Sequence, residues 1–372
     1  MTRRRLRVLV VFGGRSAEHE VSVVSARSVV DALDRERYDV VCVGIDKEGR
    51  WHLLPGPPAL PEGVSERLPA VEATAGSEVA LDQEPGARAL VGPAGEREKF
   101  DVVFPVLHGP FGEDGTIQGL LELAGIPYVG AGVLASAVGM DKGVQKTLFQ
   151  ASGLPVVRHE VVHVREWRED PEAVTARAEA LGTPLFVKPV NLGSSVGITK
   201  VKSLADLDAA VEEAFRHGRK AIIEEAAEGA REIECSVLGN DDPVASVPGE
   251  VVPAAEFYDY RAKYLEEGTR LDAPADLRPE VIEEIQRMAV TAFRTIDAAG
   301  MARVDFFYRE PDEVIVNEIN TIPGFTEISM YPRLWEASGL SYRGLVDRLV
   351  QLGIERHAAE AQRSIGPGRS AG

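Results

Sequence analysis

Two β-rich stretches near the C-terminus place polar residues two positions apart: Arg303-Val-Asp305-Phe-Phe-Tyr and Val316-Asn-Glu318-Ile-Asn320. Residues i and i+2 of a strand share one face of a sheet. If the two strands pair as a hairpin, Asp305, Glu318 and Asn320 bring oxygen donors together beside the Arg303 guanidinium. Oxygen ligands without His or Cys suit Mg²⁺, which takes one or two carboxylates plus substrate phosphates. The pattern therefore predicts a metal site for the phosphates of a nucleotide.

An alternative interpretation of these charges is the solvated face of a strand. The neighbouring positions argue against it, because Val304, Phe306, Val316 and Ile319 are all apolar. Both faces of the hairpin are therefore predicted to be covered. A covered carboxylate needs a metal or another partner.

The composition is that of a globular protein without a surface for nucleic acid. The chain has 372 residues, enough for two or three domains, with 44% hydrophobic and 27% charged residues. Its net charge of −18 argues against nucleic acid, whose phosphates require a basic surface. The sequence predicts no membrane span, and the apolar run from Val8 to Phe12 is too short for a secretory signal. Cys42 and Cys235 indicate neither a disulfide framework nor a zinc site, so we expect a cytoplasmic protein.

The N-terminal region shows a strand–helix–strand pattern. The apolar run Leu6 to Phe12 ends in Gly13-Gly14, and a helical pattern from Val21 to Leu33 follows, with Ser16 as its N-cap candidate. The next strand is predicted from Tyr38 to Ile45. This order predicts a doubly wound α/β domain with a parallel sheet.

The whole chain is predicted to contain three domains of α/β and α+β class. The N-terminal domain covers residues 1–140, with a loop-heavy insertion at 55–98 at the edge of its sheet. A small central α+β domain covers 141–222, and the C-terminal domain covers 223–353. The tail, 354–372, is polar and rich in Ala, Gly and Arg, and it is predicted to be disordered.

The central domain carries a candidate phosphate loop, Gly193-Ser194-Ser195-Val-Gly197. Backbone N–H groups of such a loop can bind anions, although an ordinary hairpin loop has the same composition. Lys188 closes an apolar strand just before it. Lys142 is a second candidate cation, although a surface lysine is the favoured interpretation when this residue is taken alone. P-loop and protein-kinase signatures are missing from the sequence. Gly13-Gly14-Arg15 lacks the dinucleotide fingerprint, which disfavours an NAD-dependent dehydrogenase.

Taken together, the motifs resemble the D-alanine–D-alanine ligases of the ATP-grasp superfamily, over nearly the whole chain from Val8 to about Val350. Each motif alone is a modest signal, and all of them in this order are a strong one. The motifs are Gly13-Gly-Arg-Ser-Ala-Glu-His-Glu-Val-Ser22, His108-Gly-Pro-Phe-Gly-Glu-Asp-Gly115, Met140-Asp-Lys142, Val187-Lys-Pro-Val-Asn-Leu-Gly-Ser-Ser-Val-Gly197, Phe257-Tyr-Asp-Tyr-Arg-Ala-Lys-Tyr264, Arg303-Val-Asp305 and Asn317-Glu-Ile-Asn-Thr-Ile-Pro-Gly324.

The resemblance implies a three-domain ATP-grasp fold and an ATP-dependent ligation of two D-alanine molecules through an acyl phosphate, for peptidoglycan precursors. It implies ATP and two Mg²⁺ (or Mn²⁺) ions held by Asp305, Glu318 and Asn320, with Glu318 bridging the ions. The family is usually dimeric, so we expect a homodimer. The implied contacts to the nucleotide come from Lys142, Lys188, Ser194, Ser195, Glu225, Ala227, Glu228 and Glu232.

The resemblance also assigns roles around the two amino acids. Glu18 would bind the ammonium of the first D-alanine, although a complement to the helix dipole is an alternative for this residue. His108 would lie near the carboxylate of that substrate. Arg303 and the Gly324 N–H would stabilise the tetrahedral oxyanion. The carboxylate of the second substrate would be bound by Lys263, Ser329 and the backbone N–H of Met330.

The choice of the second substrate is predicted from Tyr264, Ser194 and Glu18, which fill the places that the dipeptide ligases link by hydrogen bonds. They favour D-alanine over the D-lactate or D-serine of related ligases. An inert ATP-binding regulator is the alternative of another class, and the complete metal and oxyanion positions argue against it. One departure is Ala226-Ala227, where the family often has a bulkier residue beside adenine.

Overall fold

The computed structural model describes residues 4–59, 69–72, 76–193, 196–252 and 269–362, which form three β-sheets with surrounding helices. The first sheet has the strand order β6-β5-β4-β3-β2-β1-β7. Its centre is parallel, because β1 pairs in parallel with β2 and β7. Its elements are β1 (Leu6–Gly13), α1 (His19–Ala32), β2 (Tyr38–Ile45), β3 (Trp51–Leu54), β4 (Ser77–Leu81), β5 (Ala89–Val91), β6 (Arg97–Lys99), β7 (Val102–Val106), α2 (Thr116–Leu123) and α3 (Val133–Met140).

Of two local predictions in this region, the loop-heavy insertion is incomplete and the N-cap is wrong. Part of the 55–98 insertion forms β4, β5 and β6, which continue the sheet in antiparallel order beyond β3. These short strands bury few residues, Val79 and Leu90 among them, so their sequence shows little periodicity. Ser16 does not cap α1, because its hydroxyl donates to the backbone oxygen of His108 (2.6 Å) and accepts from the Glu18 N–H.

The second sheet is small and antiparallel, with the strand order β10-β9-β11-β8. Helix α4 precedes it and is capped by Asp141, whose side chain accepts from the Val144 N–H at 3.1 Å. The elements of this region are α4 (Lys142–Ala151), β8 (His159–His163), α5 (Val164–Glu169), α6 (Pro171–Leu181), β9 (Leu185–Pro189), β10 (Thr199–Val201), a 3₁₀ turn (Leu204–Asp206), α7 (Leu207–Phe215) and β11 (Lys220–Glu225).

The third sheet follows the strand order β15-β14-β12-β16-β17, with β13 paired to β12. Its edge is the antiparallel hairpin β16–β17 predicted from the sequence. The elements are β12 (Arg231–Gly239), β13 (Val244–Ala245), β14 (Gly249–Val252), β15 (Arg270–Asp272), α8 (Pro279–Thr295), β16 (Gly300–Arg309), β17 (Glu313–Asn320), α9 (Met330–Ala337) and α10 (Tyr342–Ala361).

Helix α10 joins the C-terminal region to the first sheet. The Tyr38 hydroxyl donates to Asp347, and the Arg356 guanidinium lies over the Tyr128 ring at 4.2 Å from its centroid. Because these contacts and the burial of Leu352 hold the helix, it extends to Ala361. The predicted disorder from 354 is therefore wrong as far as that residue, and 363–372 lie outside the described residues.

Candidate active site

The hairpin β16–β17 places its polar side chains as the sequence predicted. Arg303 pairs in register with Asn320, and Asp305 with Glu318. The Arg303 guanidinium donates to both carboxylate oxygens of Asp305, at 2.7 and 2.8 Å, and the Asn320 amide donates to the same carboxylate at 3.0 Å. Glu234 on β12 is a further partner of Arg303, at 3.0 Å. These carboxylates raise the pKa of Arg303 well above its usual value, against the effect of its burial.

The apolar residues between these side chains are buried, as the sequence predicted. Val304 and Val316 have no exposed surface, and Phe306 and Ile319 are 2% and 1% exposed. The side chains of the polar face are themselves largely covered, since Arg303 is 18%, Asp305 15% and Glu318 22% exposed. This coverage argues against the solvated face of a strand.

A cavity of about 340 Å³, which we call the first cavity, opens between the second and third sheets. Most of the predicted nucleotide contacts line it, together with two of the predicted metal ligands. The lining residues from the prediction are Lys142, Lys188, Glu225, Ala227, Glu228, Glu232, Asp305 and Glu318.

The cations of the first cavity are paired with carboxylates. Lys142 lies 3.1 Å from Glu318 and donates to the backbone oxygen of Leu192 at 3.0 Å. Lys188 lies 2.6 Å from one oxygen of Glu224, and the buried Lys146 lies 3.2 Å from the other. Burial works against the charge of Lys188, but Glu224 and Glu318 outweigh it and raise the pKa of this lysine.

Glu224, which the sequence prediction passed over, is the buried carboxylate of this cavity. Burial alone would raise its pKa, but Lys146 and Lys188 lower it to about 2. The neighbouring Glu225 lines the cavity, yet its carboxylate accepts from the backbone N–H and the guanidinium of Arg158, at 3.0 and 2.7 Å. The structure therefore places Glu224, rather than Glu225, between the lysines.

A cavity of about 260 Å³, which we call the second cavity, lies between the N-terminal loops and the hairpin. Glu18 lines it from the start of α1, where its side chain makes no capping hydrogen bond to the helix. Its Oε2 atom lies beside Gly109 and Gly193, and a Cβ added at Gly109 would approach that oxygen to 2.9 Å. Gly109 also has φ +72°, so two independent constraints favour glycine there. Glu18 stands at the N-terminus of α1, so a complement to the helix dipole stays the alternative role for this residue.

His108 is buried in the wall of the second cavity. One ring nitrogen lies 3.0 Å from the backbone oxygen of Ile322, and the other lies 3.3 Å from the Ser25 hydroxyl. Burial lowers the pKa of His108, which outweighs the opposing effect of Glu18. A neutral imidazole is therefore the favoured state in this wall near neutral pH.

Glu113 also lines the second cavity. Like Glu224 in the first cavity, it was not singled out by the sequence prediction. Its carboxylate accepts from the Gly109 N–H at 2.7 Å. Burial, together with the nearby charge of Glu18, raises the pKa of Glu113 to about 8. The only sequence signal was its place in the His108–Gly115 motif.

The opposite wall of the second cavity comes from the segment after β17. Gly324, Ser329 and Met330 line it, as the resemblance implied. The Ser329 hydroxyl accepts from the Thr326 N–H at 3.1 Å and lies 2.7 Å from the Thr326 hydroxyl. The loop therefore presents Ser329 at the N-terminus of α9.

The two cavities meet at the hairpin. Gly193, Glu234, Arg303 and Glu318 belong to the linings of both. A ligand group in one cavity can therefore lie next to a ligand group in the other, with one guanidinium and two carboxylates at the junction.

Four predicted site residues, Ser194, Ser195, Lys263 and Tyr264, lie outside the described residues. Their roles stay predictions.

The donor set at the hairpin fits a magnesium ion. In the described ranges no three His, Cys, Asp or Glu side chains converge as metal ligands. Asp305, Glu318 and Asn320 instead offer two carboxylates and one amide, and Mg²⁺ commonly combines one or two carboxylates with substrate phosphates. This composition suits a site that a nucleotide completes.

Models of one family match both parts of the chain. The model described as D-ala D-ala ligase N-terminus matches residues 7–131, and the one described as D-ala D-ala ligase C-terminus matches 148–351. The chain belongs to the D-alanine–D-alanine ligase family. This result confirms the predicted family and its enzyme class, which is that of the ligases.

Relatives of this family are similar over nearly their whole length. A D-alanine–D-alanine ligase of Streptomyces griseus subsp. griseus is 51% identical, over 95% of this chain and 94% of that protein. One of Geobacillus kaustophilus is 50% identical, over 95% and 96%.

Solved structures confirm the predicted ATP-grasp fold. The D-alanine–D-alanine ligase from Coxiella burnetii has a TM-score of 0.83 and 40% identity, covering 96% of both chains. The VanG D-Ala:D-Ser ligase from Enterococcus faecalis has a TM-score of 0.82 and 36% identity, covering 94% of this chain and all of that one. None of the helices within the described ranges is long and apolar enough to span a membrane.

Proposed function

We propose that this protein joins two D-alanine molecules into D-alanyl-D-alanine and converts ATP to ADP and phosphate. The observation that carries the proposal is the junction of the two cavities at Arg303 and Glu318. This junction lets the triphosphate of a nucleotide in the first cavity lie next to the carboxylate of an amino acid in the second. The names of the two relatives and of the Coxiella burnetii structure support this choice of substrates, whereas the VanG structure is named for D-serine as the second substrate.

The first cavity would hold ATP. Lys142 and Lys188 are cations on its floor, and both are already oriented by carboxylates. Glu225, Ala227, Glu228 and Glu232 also line this cavity and would contact the adenine and ribose. The flap residues Ser194 and Ser195 would complete the phosphate site.

Asp305, Glu318 and Asn320 would hold two Mg²⁺ or Mn²⁺ ions beside the phosphates. When bound, the ions supply neutralising charge for the triphosphate. In the protein alone, Arg303 and Lys142 occupy these carboxylates. The chain thus keeps its own cations beside the ligands, and this arrangement favours a site whose ions arrive with the nucleotide.

The second cavity would bind the first D-alanine with Glu18 at its ammonium and His108 near its carboxylate. A carboxylate in a partly dry site is the natural partner of an ammonium. In the first step the substrate carboxylate attacks the γ-phosphorus of ATP. A new O–P bond forms between the substrate carboxylate and the γ-phosphorus. The bond between the γ-phosphorus and the oxygen that bridges it to the β-phosphate breaks, and ADP leaves.

The second D-alanine would react as a free amine with the acyl phosphate. Its nitrogen attacks the carbonyl carbon, loses a proton, and displaces phosphate as the C–N bond forms. Arg303 and the Gly324 N–H are the donors for the intermediate oxyanion. Lys263, Ser329 and the Met330 N–H would bind the carboxylate of this second molecule, and Tyr264 would close the site in favour of D-alanine.

The proposal extends to the cellular role. The dipeptide would supply peptidoglycan precursor synthesis in the cytoplasm. We also propose a homodimer, and the exposed Leu123 and Leu134 on α2 and α3 support a covered apolar surface. Light scattering should give twice the chain mass of 40.2 kDa, whereas the mass of a single chain would contradict the dimer.

The test of the reaction is ADP release with Mg²⁺ and ATP, measured with D-alanine, with L-alanine as the control, and with mixtures of D-alanine and D-serine or D-lactate. We expect D-alanine-dependent turnover, with the dipeptide as the product by mass spectrometry. A mixed dipeptide or a depsipeptide as the main product would contradict the choice of the second substrate. ATP binding without D-alanine-dependent ADP release would contradict the ligase activity.

A further inference from the structure

Lys146 on α4 is a lysine without exposed surface. Its ammonium donates to the backbone oxygen of Asn317 on β17 at 2.8 Å and lies 3.2 Å from Glu224. A buried ammonium is costly unless such partners surround it. None of the roles proposed above uses this residue.

The partner of Lys146 is the carboxylate that also orients Lys188. Glu224 is 3% exposed, and its two oxygens are divided between the two ammonium groups, at 3.2 and 2.6 Å. Glu318, the other carboxylate near these lysines, is paired with Lys142, so one carboxylate between Lys146 and Lys188 leaves this group of side chains with a net positive charge. Without Lys146, Glu224 and Lys188 would form a neutral pair with little attraction for phosphate.

Helix α4 fixes the position of Lys146 against the strand that carries Glu318. β17 lies at the edge of its sheet, so the backbone groups of its outer side need partners from elsewhere. Helix α4 supplies two of them: the Gln145 side chain accepts from the Ile319 N–H at 2.9 Å, and Lys146 donates to Asn317. The ammonium of Lys146 therefore links β17, which carries the proposed metal ligands Glu318 and Asn320, to Glu224 in the lining of the first cavity.

We propose that Lys146 is a positioning residue of the nucleotide site, which acts through Glu224 to keep the Lys188 ammonium available to phosphate. The inference rests on the proposed function, because it takes ATP as the ligand of the first cavity. It assigns Lys146 no contact with the nucleotide.

The test is calorimetric titration of Lys146→Met with a non-hydrolysable ATP analogue and Mg²⁺, and separately with adenosine. We expect the Kd of the analogue to rise about tenfold, because the close charge of one ammonium is lost. Adenosine, which has no phosphate, should bind as it does to the unmodified chain. Lys146→Gln keeps an N–H donor for Asn317 and should show the same loss, so the test does not depend on one variant folding.

Two further variants separate the proposed role from a structural one. Gln145→Leu removes a contact to the same strand without touching Glu224 and should change the Kd of the analogue less than about twofold. In a Glu224→Gln background, adding Lys146→Met should have a similarly small effect, because the two residues act as one unit. A loss of adenosine binding, an equal loss in Gln145→Leu, or full additivity with Glu224→Gln would overturn the proposal.

Measurements of analogue binding and of ADP release on the unmodified chain distinguish a failure of this inference from a failure of the proposed function. If it binds the analogue but shows no D-alanine-dependent ADP release, the ligase proposal fails, and the Lys146 variants still decide the inference. If it does not bind the analogue, both fail.

Discussion

The two cavities hold glutamates whose pKa values shift in opposite directions. In the first cavity Glu224 lies between Lys146 and Lys188, and its pKa is lowered to about 2. In the second cavity Glu113 is raised to about 8 by burial and by the charge of Glu18. At neutral pH the first cavity therefore contains an ionised, paired carboxylate, and the second contains a protonated one.

This difference indicates how each cavity receives its ligand. Lys142 and Lys188 of the first cavity are each paired with a carboxylate of the chain, so they are oriented before a phosphate arrives. The second cavity combines Glu18 and His108 from the N-terminal region with Arg303 from the hairpin. Its arrangement suits a ligand that carries both an ammonium and a carboxylate.

The largest expected effect is at the junction, in Glu318→Gln. The variant keeps the shape of the side chain but removes a metal-binding charge shared by both cavities. We expect a loss of about 4 kcal/mol in transition-state stabilisation, which corresponds to roughly a thousandfold in kcat/KM. Steady-state ADP release measures it. Glu313→Gln at the exposed start of β17 is the matched control, and near-parental turnover of Glu318→Gln would contradict the metal assignment.

The next effect is expected in Arg303→Lys, which keeps the positive charge but loses the two guanidinium N–H donors that bind the Asp305 carboxylate. Since Arg303 is proposed to stabilise the oxyanion, kcat should fall about a hundredfold. Arg309→Lys, on the same strand but paired with the exposed Glu313, should stay close to the parent. Rapid-quench detection of the acyl phosphate locates the step. A lower rate of its formation, with unchanged breakdown, would contradict an oxyanion role.

The part of this junction that could be predicted from the sequence is the part with a periodic pattern. In the hairpin, polar and apolar residues alternate, and the two strands follow each other closely, so the shared face of Arg303, Asp305, Glu318 and Asn320 followed from a period of two. The resemblance then supplied the reaction, which alternation alone cannot indicate.

The orientation of Glu224 and Glu225 could not be predicted, because their strand has no alternation. Ala221, Ile222 and Ile223 are all fully buried, so the sequence does not show which glutamate faces inward. The raised pKa of Glu113 could not be predicted for a different reason, since it depends on burial and on the position of Glu18, far away in the chain. β4, β5 and β6 could not be predicted either, because such short strands carry too few residues for a periodic pattern.

A smaller effect is expected in Glu18→Gln, which tests the amino-acid side alone. A charge-assisted bond to an ammonium is worth about 1.5 to 3 kcal/mol, so the KM for the first D-alanine should rise at least about tenfold. The Kd of an ATP analogue should not change. Glu20→Gln, in the first turn of α1 and paired with the exposed Lys47, is the control. A lower melting temperature with unchanged KM values would instead support the helix-dipole role.

The last expected effect is on stability rather than on catalysis, and it concerns the two oppositely shifted glutamates. Glu113 binds its proton more tightly in the folded state, with a pKa of about 8 against an ordinary value of 4.5. Its contribution is therefore fully present below pH 4.5 and is lost as the pH rises through 8, at a slope of at most about 1.4 kcal/mol per pH unit. Glu113→Gln, which mimics the protonated form, should remove this slope.

Urea unfolding of the parent and Glu113→Gln at pH 5 and pH 9 measures that difference. The two proteins should be similar at pH 5, and the variant should be the more stable at pH 9. For Glu224 the sign is reversed, because its depressed pKa stabilises the fold above its ordinary value of 4.5 and this stabilisation is lost as the pH falls towards 2. Glu224→Gln should therefore be the less stable protein at both pH values. If Glu113→Gln and Glu224→Gln instead changed the stability in the same way at both pH values, the two cavities would not differ in how they stabilise the charges of their glutamates.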